Sequence, residues 1–205
     1  MDGAFKYFTA DIPAPYDMTQ AREKPFMNTP LSLDALGPRI CIMGPSNSGK
    51  STLASAIAMK MSLPLIHLDQ LHHLPDTQWL PRDPSEFYRL HAEAIKQEKW
   101  VIEGNYTKCI RERFERATGL ILLDISTPIA LVRYIRRCYA LTPRIGGLHS
   151  GKDPVTWAML KYITLTAPKN RLRHRALFDQ TSLPKLLLTS PRAMRACYNQ
   201  WGLTP

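Results

Sequence analysis

Acidic residues are scarce in the last two-fifths of this 205-residue chain. Residues 125–205 hold 13 Lys and Arg against two acids, Asp153 and Asp179. Residues 1–124 carry 14 basic and 15 acidic side chains, so all of the net charge of +10 lies in the C-terminal part. That asymmetry predicts a polyanionic partner: nucleotide phosphates, nucleic acid, or both. Cysteine is also sparse. Cys41, Cys109, Cys138 and Cys197 stand far apart with no CxxC spacing, which argues against a disulfide framework or a zinc site and makes a reducing cytoplasm the expected location. No apolar run approaches the ~18 residues of a membrane helix, so no membrane partner is expected. The N-terminus has Asp2, Asp11 and Asp17 among prolines and no basic-then-apolar leader. No Asn-Lys-x-Asp guanine-reading motif, helix-turn-helix or RNA-binding motif is visible.

What is present is enough for a packed domain: 44% of residues are hydrophobic and 21% charged. Residues 1–38, with Pro13, Pro15, Pro25 and Pro30 and few aliphatics, read as an extension that is partly ordered at best. From Pro38 onward, short apolar runs alternate with helical segments. This predicts an α/β domain over 39–205 built on a parallel sheet. Expected strands are 39–43, 65–69, 100–103, 120–124 and 183–188. Expected helices follow Ser51 (ending before Pro64), run from Asp83 to about Glu98, cover 108–117 and 128–141, fill roughly 155–178 with an interruption near Pro168, and start again at Ser190-Pro191. Residues 142–155, with Gly146, Gly147, Gly151 and two prolines, read as a mobile lid.

The sharpest motif is Gly44-Pro45-Ser46-Asn47-Ser48-Gly49-Lys50-Ser51, which fits the Walker A pattern and lies between a strand and a helix as its mechanism requires. Its glycines let main-chain amides close around phosphate oxygens, with the helix N-terminus behind them. Lys50 reaches the β- and γ-phosphates, the Ser51 hydroxyl can ligate Mg²⁺, and Thr52 completes the loop. Asp124 ends an aliphatic strand in the Walker B manner and is a second candidate Mg²⁺ ligand. Asp69, at the end of the second expected strand, is a candidate to orient an acceptor hydroxyl. His67, His72 and His73 flank it and are assigned no metal. Glu103, Gly104, Asn105 and Tyr106 follow the third strand at the equivalent sheet edge and are candidate substrate contacts. Arg133, Arg136 and Arg137 share one helix face, and Arg144, Arg171, Arg173 and Arg175 lie further on. Guanidinium forks suit the negative charge of a transferring phosphoryl group; Arg133 and Arg137 are the candidates for catalysis and Arg136 for the nucleotide.

Four pieces, GPSNSGKST, LIHLDQLHHLP, WVIEGNYT and LILLD with its arginine-rich helix, resemble the small P-loop kinases of the adenylate-kinase type. More closely they look like the bacterial DNA topology modulation proteins, over residues 39–200. The resemblance implies a three-layer P-loop NTPase fold with a five-stranded parallel sheet in the order 2-3-1-4-5, and an arginine-bearing lid. It also implies MgATP as phosphoryl donor, and adenine near Thr189-Ser190-Pro191-Arg192, so that Arg192 is a nucleotide contact. Adenylate kinases carry Asp-Gly-Phe-Pro-Arg where this chain has Glu103-Gly-Asn-Tyr-Thr, and their monophosphate-binding segment is replaced by a histidine-rich loop. The expected function is therefore ATP-dependent phosphorylation of a small molecule or nucleotide. The alternative is a nucleic-acid-associated P-loop ATPase or DNA topology regulator.

Overall fold

A computed structural model describes residues 31–77, 79–139, 145–147 and 154–204. Five parallel strands form one sheet: β1 (Arg39–Met43), β2 (Leu65–His67), β3 (Trp100–Glu103), β4 (Gly119–Leu123) and β5 (Lys185–Leu188). Their order is β2-β3-β1-β4-β5, the three-layer P-loop NTPase arrangement. Each strand reads as a nearly continuous apolar run because helices cover both faces of the sheet.

Strand parity divides the core in two. Ile40, Ile42, Val101, Ile121 and Leu123 face one side, where they meet Leu53 and Ile57 of α1 (Lys50–Met61) and Met194 and Trp201 of α8 (Pro191–Trp201). Cys41, Met43, Trp100, Ile102, Leu120 and Leu122 face the other, against Ile95 of α3 (Pro84–Lys96), Ile110 of α4 (Ile110–Arg116) and Phe178 of α7 (Ala167–Gln180). Residues 31–38, placed by the sequence reading in the extension, pack on the first face. Leu33 and Leu36 are buried there. The Trp201 indole N–H donates to the Leu31 carbonyl at 3.0 Å. The rest of that extension lies outside the described residues.

Most expected elements are found within a few residues, with two instructive differences. Strand β2 ends at His67, and a short helix α2 (Leu68–His72) begins at once, so Asp69 lies in a first helical turn rather than at a strand end. The expected break near Pro168 takes the form of a π-helical turn, Tyr162–Thr166, joining α6 (Trp157–Lys161) to α7. Pro168 follows that turn directly, at the second position of α7, where a proline cannot donate to the preceding helical turn. Helix α3 starts as read: the Asp83 carboxylate accepts from the Ser85 N–H at 2.8 Å. Helix α5 (Thr127–Tyr139) runs into the expected lid. Of that lid, residues 145–147 and 154–155 are described, and the Gly147 carbonyl accepts from the Gln70 side chain at 3.2 Å.

Two buried histidines, His91 on α3 and His174 on α7, tie stability to pH. Burial and the Arg113 charge push His91 down to about 4; burial, Lys50 and Arg173 do the same to His174 against the pull of Asp124. The unfolded chain protonates these groups near 6.5 while the fold keeps them neutral, so the unfolded state binds more protons between pH 6.5 and 4. Stability should therefore fall with acid through that window, by about 1 kcal/mol per histidine between pH 7 and 5. Urea denaturation at the two pH values measures this, and His91→Gln should flatten the slope.

Candidate active site

The loop between β1 and α1 wraps the carboxyl edge of the sheet. Gly44 has φ 148°, and a Cβ there would lie 2.5 Å from the Leu123 carbonyl, so no larger residue fits. Asn47 adopts φ 63°, and Gly49 caps α1 in the left-handed region. The Lys50 ammonium arches back across the loop to the Pro45 carbonyl at 3.2 Å. Both polar atoms of the Asn47 side chain and the Ser48 hydroxyl are buried without a partner. Orphaned polar atoms in a cradle of main-chain amides fit a phosphate-bearing ligand.

Asn105 fastens this loop to the neighbouring β3 turn. Its side-chain carbonyl accepts from the Gly44 N–H at 3.1 Å and its amide donates to the Gly44 carbonyl at 2.9 Å. Asn105, a candidate substrate contact, thus has its side-chain amide engaged on both sides by Gly44. Gly104 precedes it with φ 131°, a position where a Cβ would press on Leu68 at 2.8 Å. The Asn105 carbonyl in turn accepts from Arg113, whose side chain is buried.

Glu103, a candidate substrate contact, lies between the Gly44–Ser51 loop and Tyr106, whose phenol its charge reaches. Strand parity puts it on the α1 face with Val101, and its Oε1 accepts from the Ser51 hydroxyl at 2.9 Å. The same oxygen meets His67 Nδ1 at 2.8 Å, and because a carboxylate only accepts, that nitrogen carries the proton. Burial alone would raise the Glu103 carboxyl. The His67 hydrogen bond, the Lys50 charge and the Ser51 hydroxyl outweigh it and hold the group below its usual range, hence ionised. A hydroxyl beside an ionised carboxylate is an oxygen donor set that suits Mg²⁺. Asp124, the other expected ligand, is half-buried and bound to α7: Arg171 Nε donates to it at 2.6 Å and Arg175 Nη1 lies 3.8 Å away. Ser51 is thus brought onto Glu103, while Asp124 has guanidinium neighbours. No cluster of three or more His, Cys, Asp or Glu suited to a metal occurs among the described residues.

Beside α2, the Tyr106 hydroxyl donates to Asp69 Oδ1 at 2.8 Å. Burial and the Asp69 charge push this phenol well above its usual value. Tyr162, on the π-helical turn, was not singled out by the sequence. Its side chain hydrogen-bonds those of Asn170 and Ser46; burial and Asp69 raise its phenol against these bonds. Asp69, Tyr106 and Tyr162 therefore gather beside the phosphate loop.

The three arginines of α5 separate. Arg133 donates to the Ser48 carbonyl and lies 3.8 Å from the Met194 sulfur, so it sits on the loop. The Arg137 guanidinium covers the Tyr134 ring at 5.6 Å, and Arg136 is exposed. A surface cavity of about 540 Å³ opens beside Gly49, Thr52, Arg133, Pro191, Met194 and Tyr198. Arg192 is exposed at the start of α8 and does not line it, whereas Arg195 does. A sequence signal for Arg195 existed in its i+3 spacing from Arg192.

No family model matches the sequence, and no curated protein does. Several solved structures share the architecture at low identity. A gluconokinase from Sinorhizobium meliloti 1021 is 15% identical, aligned over 82% of this chain and 93% of its own, with a TM-score of 0.45. A shikimate kinase from Bacteroides thetaiotaomicron is 18% identical over 80% and 95%, with a TM-score of 0.46. Deoxyadenosine kinase from M. mycoides, solved with bound dATP, is 13% identical over 80% and 98%, with a TM-score of 0.44. At that distance they describe a shared chain path and assign no activity.

The Asn105 clamp makes a prediction of its own. Asn105→Ala should lower the melting temperature by about 2–5 °C, as the loss of two hydrogen bonds to buried main chain implies. Hydrogen exchange at the Gly44 amide should accelerate while far-UV circular dichroism stays unchanged. Undiminished protection at Gly44 would show that the clamp does not hold the loop.

Proposed function

We propose that the protein is an ATP-dependent phosphotransferase that moves the γ-phosphoryl of MgATP to a hydroxyl or phosphate of a small molecule or nucleotide. One observation carries the reading: a phosphate cradle with orphaned polar atoms and Lys50 lies beside an acceptor-side carboxylate, Asp69, at the same sheet edge. Main-chain amides of the loop beyond Pro45, towards Ser51, hold the β- and γ-phosphates. Lys50 and Arg133 offset charge on the transferring group, and Arg171 stands close enough to Asp124 to join them. Ser51, with Glu103 behind it, would hold Mg²⁺, which supplies further charge neutralisation at the phosphates. Asp124 is a second candidate for that ion. Asp69 orients the acceptor hydroxyl for in-line attack and takes its proton. The cavity beside Pro191 and Met194 has the place and size for an adenine base. Of the remaining arginine candidates, Arg137 stands behind Arg133, and Arg136 and Arg192 border the outer surface. The DNA topology modulation proteins and the adenylate-kinase type are the families whose motifs support this reading.

The second reading, a nucleic-acid-associated ATPase, is favoured by the basic C-terminal part, where Arg136, Lys161, Lys169 and Arg173 are exposed. It predicts DNA or RNA binding that weakens steeply with salt. Filter binding at low ionic strength tests it, and no retention removes it. No helix among the described residues is long and apolar enough to cross a membrane.

Lys50→Ala should abolish ATP-dependent phosphorylation with the fold intact by circular dichroism. Asp69→Asn should lower kcat by roughly 10²–10⁴ while calorimetric MgATP affinity stays within about twofold. If well-folded protein gives no heat with MgATP, the phosphotransferase reading fails.

A further inference from the structure

Strands β2 and β3 end side by side. His67 and Glu103 are the last residues of the two strands and are register partners in the parallel ladder, so their side chains leave the sheet on one face. That face is covered by α1, and Ser51 stands in the first turn of α1. Glu103 Oε1 receives both neighbours, the Ser51 hydroxyl at 2.9 Å and His67 Nδ1 at 2.8 Å. One carboxylate oxygen thus links an imidazole on the sheet to a hydroxyl at the end of the Gly44–Ser51 loop.

The direction of each bond follows from the chemistry. An ionised carboxylate only accepts, so the Ser51 proton and the Nδ1 proton are both given to Oε1. A serine hydroxyl rotates to suit its surroundings, and here its proton is committed to Glu103. The lone pairs of the Ser51 oxygen are then left for a cation. Glu103 is itself a side chain whose terminal torsion has broad wells, so it needs a second contact to hold one setting. His67 supplies that contact, and the ring is fixed in its turn. It is buried, and a Cβ on Gly146 would come within 2.6 Å of Nδ1, so the main chain of residues 145–147 lies against it. The Gln70 side chain secures the same loop by donating to the Gly147 carbonyl at 3.2 Å.

We propose that His67 is a positioning residue for the Mg²⁺ of the phosphoryl donor: its Nδ1–H fixes the Glu103 carboxylate, which in turn orients the Ser51 hydroxyl with its lone pairs left for the ion. The inference rests on the phosphotransferase reading and deepens it. His67 acts through Glu103 and holds no metal itself. A partner one hydrogen bond removed from the groups that hold a metal commonly contributes about 10–100-fold to metal affinity, because it sets their orientation before the ion arrives. The arrangement also gives the second strand a part in nucleotide binding that its short apolar sequence, Leu65–His67, does not advertise.

Calorimetric ATP titrations in EDTA and across a magnesium series measure how strongly Mg²⁺ enhances ATP binding, with no acceptor present. Leucine and asparagine are nearly equal in size, so His67→Leu and His67→Asn remove the same ring and differ in the N–H donor. His67→Leu should raise the magnesium concentration for half-maximal enhancement about 10–100-fold, and His67→Asn should recover most of that loss. ATP affinity in EDTA should be unchanged in both. An equal loss in the two variants, or none in either, overturns the inference. Either result leaves the phosphotransferase reading standing, whereas wild-type protein that gives no heat with MgATP ends both. Long-range ¹H–¹⁵N correlation spectra of the wild-type protein need no variant to fold. His67 Nδ1 should carry a proton, and the ring signals should move when Mg²⁺ is added to the ATP complex. A ring protonated at Nε2 alone, or signals that ignore the ion, overturns the proposal.

Discussion

The site depends on the pair of hydrogen bonds by which Asn105 grips both main-chain polar groups of Gly44. Gly44 is where strand β1 passes into the Gly44–Ser51 loop, and Asn105 is in the turn that follows strand β3. A side-chain amide here does the work of one more rung of sheet, extending the β1–β3 ladder beyond Ile42 and Glu103. The two loops are thereby held at a fixed spacing, which the proposed in-line transfer would require. Arg113 braces the same turn from beneath through the Asn105 carbonyl, and its burial there is tolerable because that contact engages part of the guanidinium.

Charge is partitioned across this frame. On the sheet side, Glu103 is ionised, buried and shared between His67 and Ser51. On the helix side, Asp124 is gripped by α7 arginines. The two carboxylates at this edge therefore have different neighbours: one has a hydroxyl and a lysine nearby, the other guanidinium groups. That difference leaves Glu103 paired with a hydroxyl, an oxygen donor set that fits a divalent cation, while Asp124 keeps the strand-end position that makes it a candidate ligand.

Much of this was legible in the sequence. The Gly44–Ser51 loop, the apolar strands and the proline-marked helix starts led to the parallel α/β core, and the strand order came from the family resemblance that those motifs carry. The site was legible in part. Asp69 and Tyr106, singled out separately as candidates, are hydrogen-bonded to each other, and Arg133 reaches the loop. The role of Glu103 was open to a parity argument, since it shares a face with Val101 and that face is covered by α1. Asn105 was harder: an Asn in a Gly-containing turn has the same local signature whether it meets ligand, solvent or a neighbouring loop. Tyr162 had no local signature, because its placement comes from a π-helical turn, and an extra residue within one helical turn leaves the apolar period on either side nearly intact.

That π turn has a consequence for how this chain can vary in length. A single inserted or deleted residue in an ordinary helix rotates everything after it by about 100°. Where the backbone already holds a wide turn, removing one residue relaxes it to regular α geometry and leaves the downstream register in place. Tyr162–Thr166 is therefore a joint at which the wall formed by α6 and α7 can shorten by one residue while Arg171 and Arg175 still face Asp124. What such a deletion would displace is the phenol at the joint, so the Asp69 end of the cleft can be remodelled with the Gly44–Ser51 loop preserved.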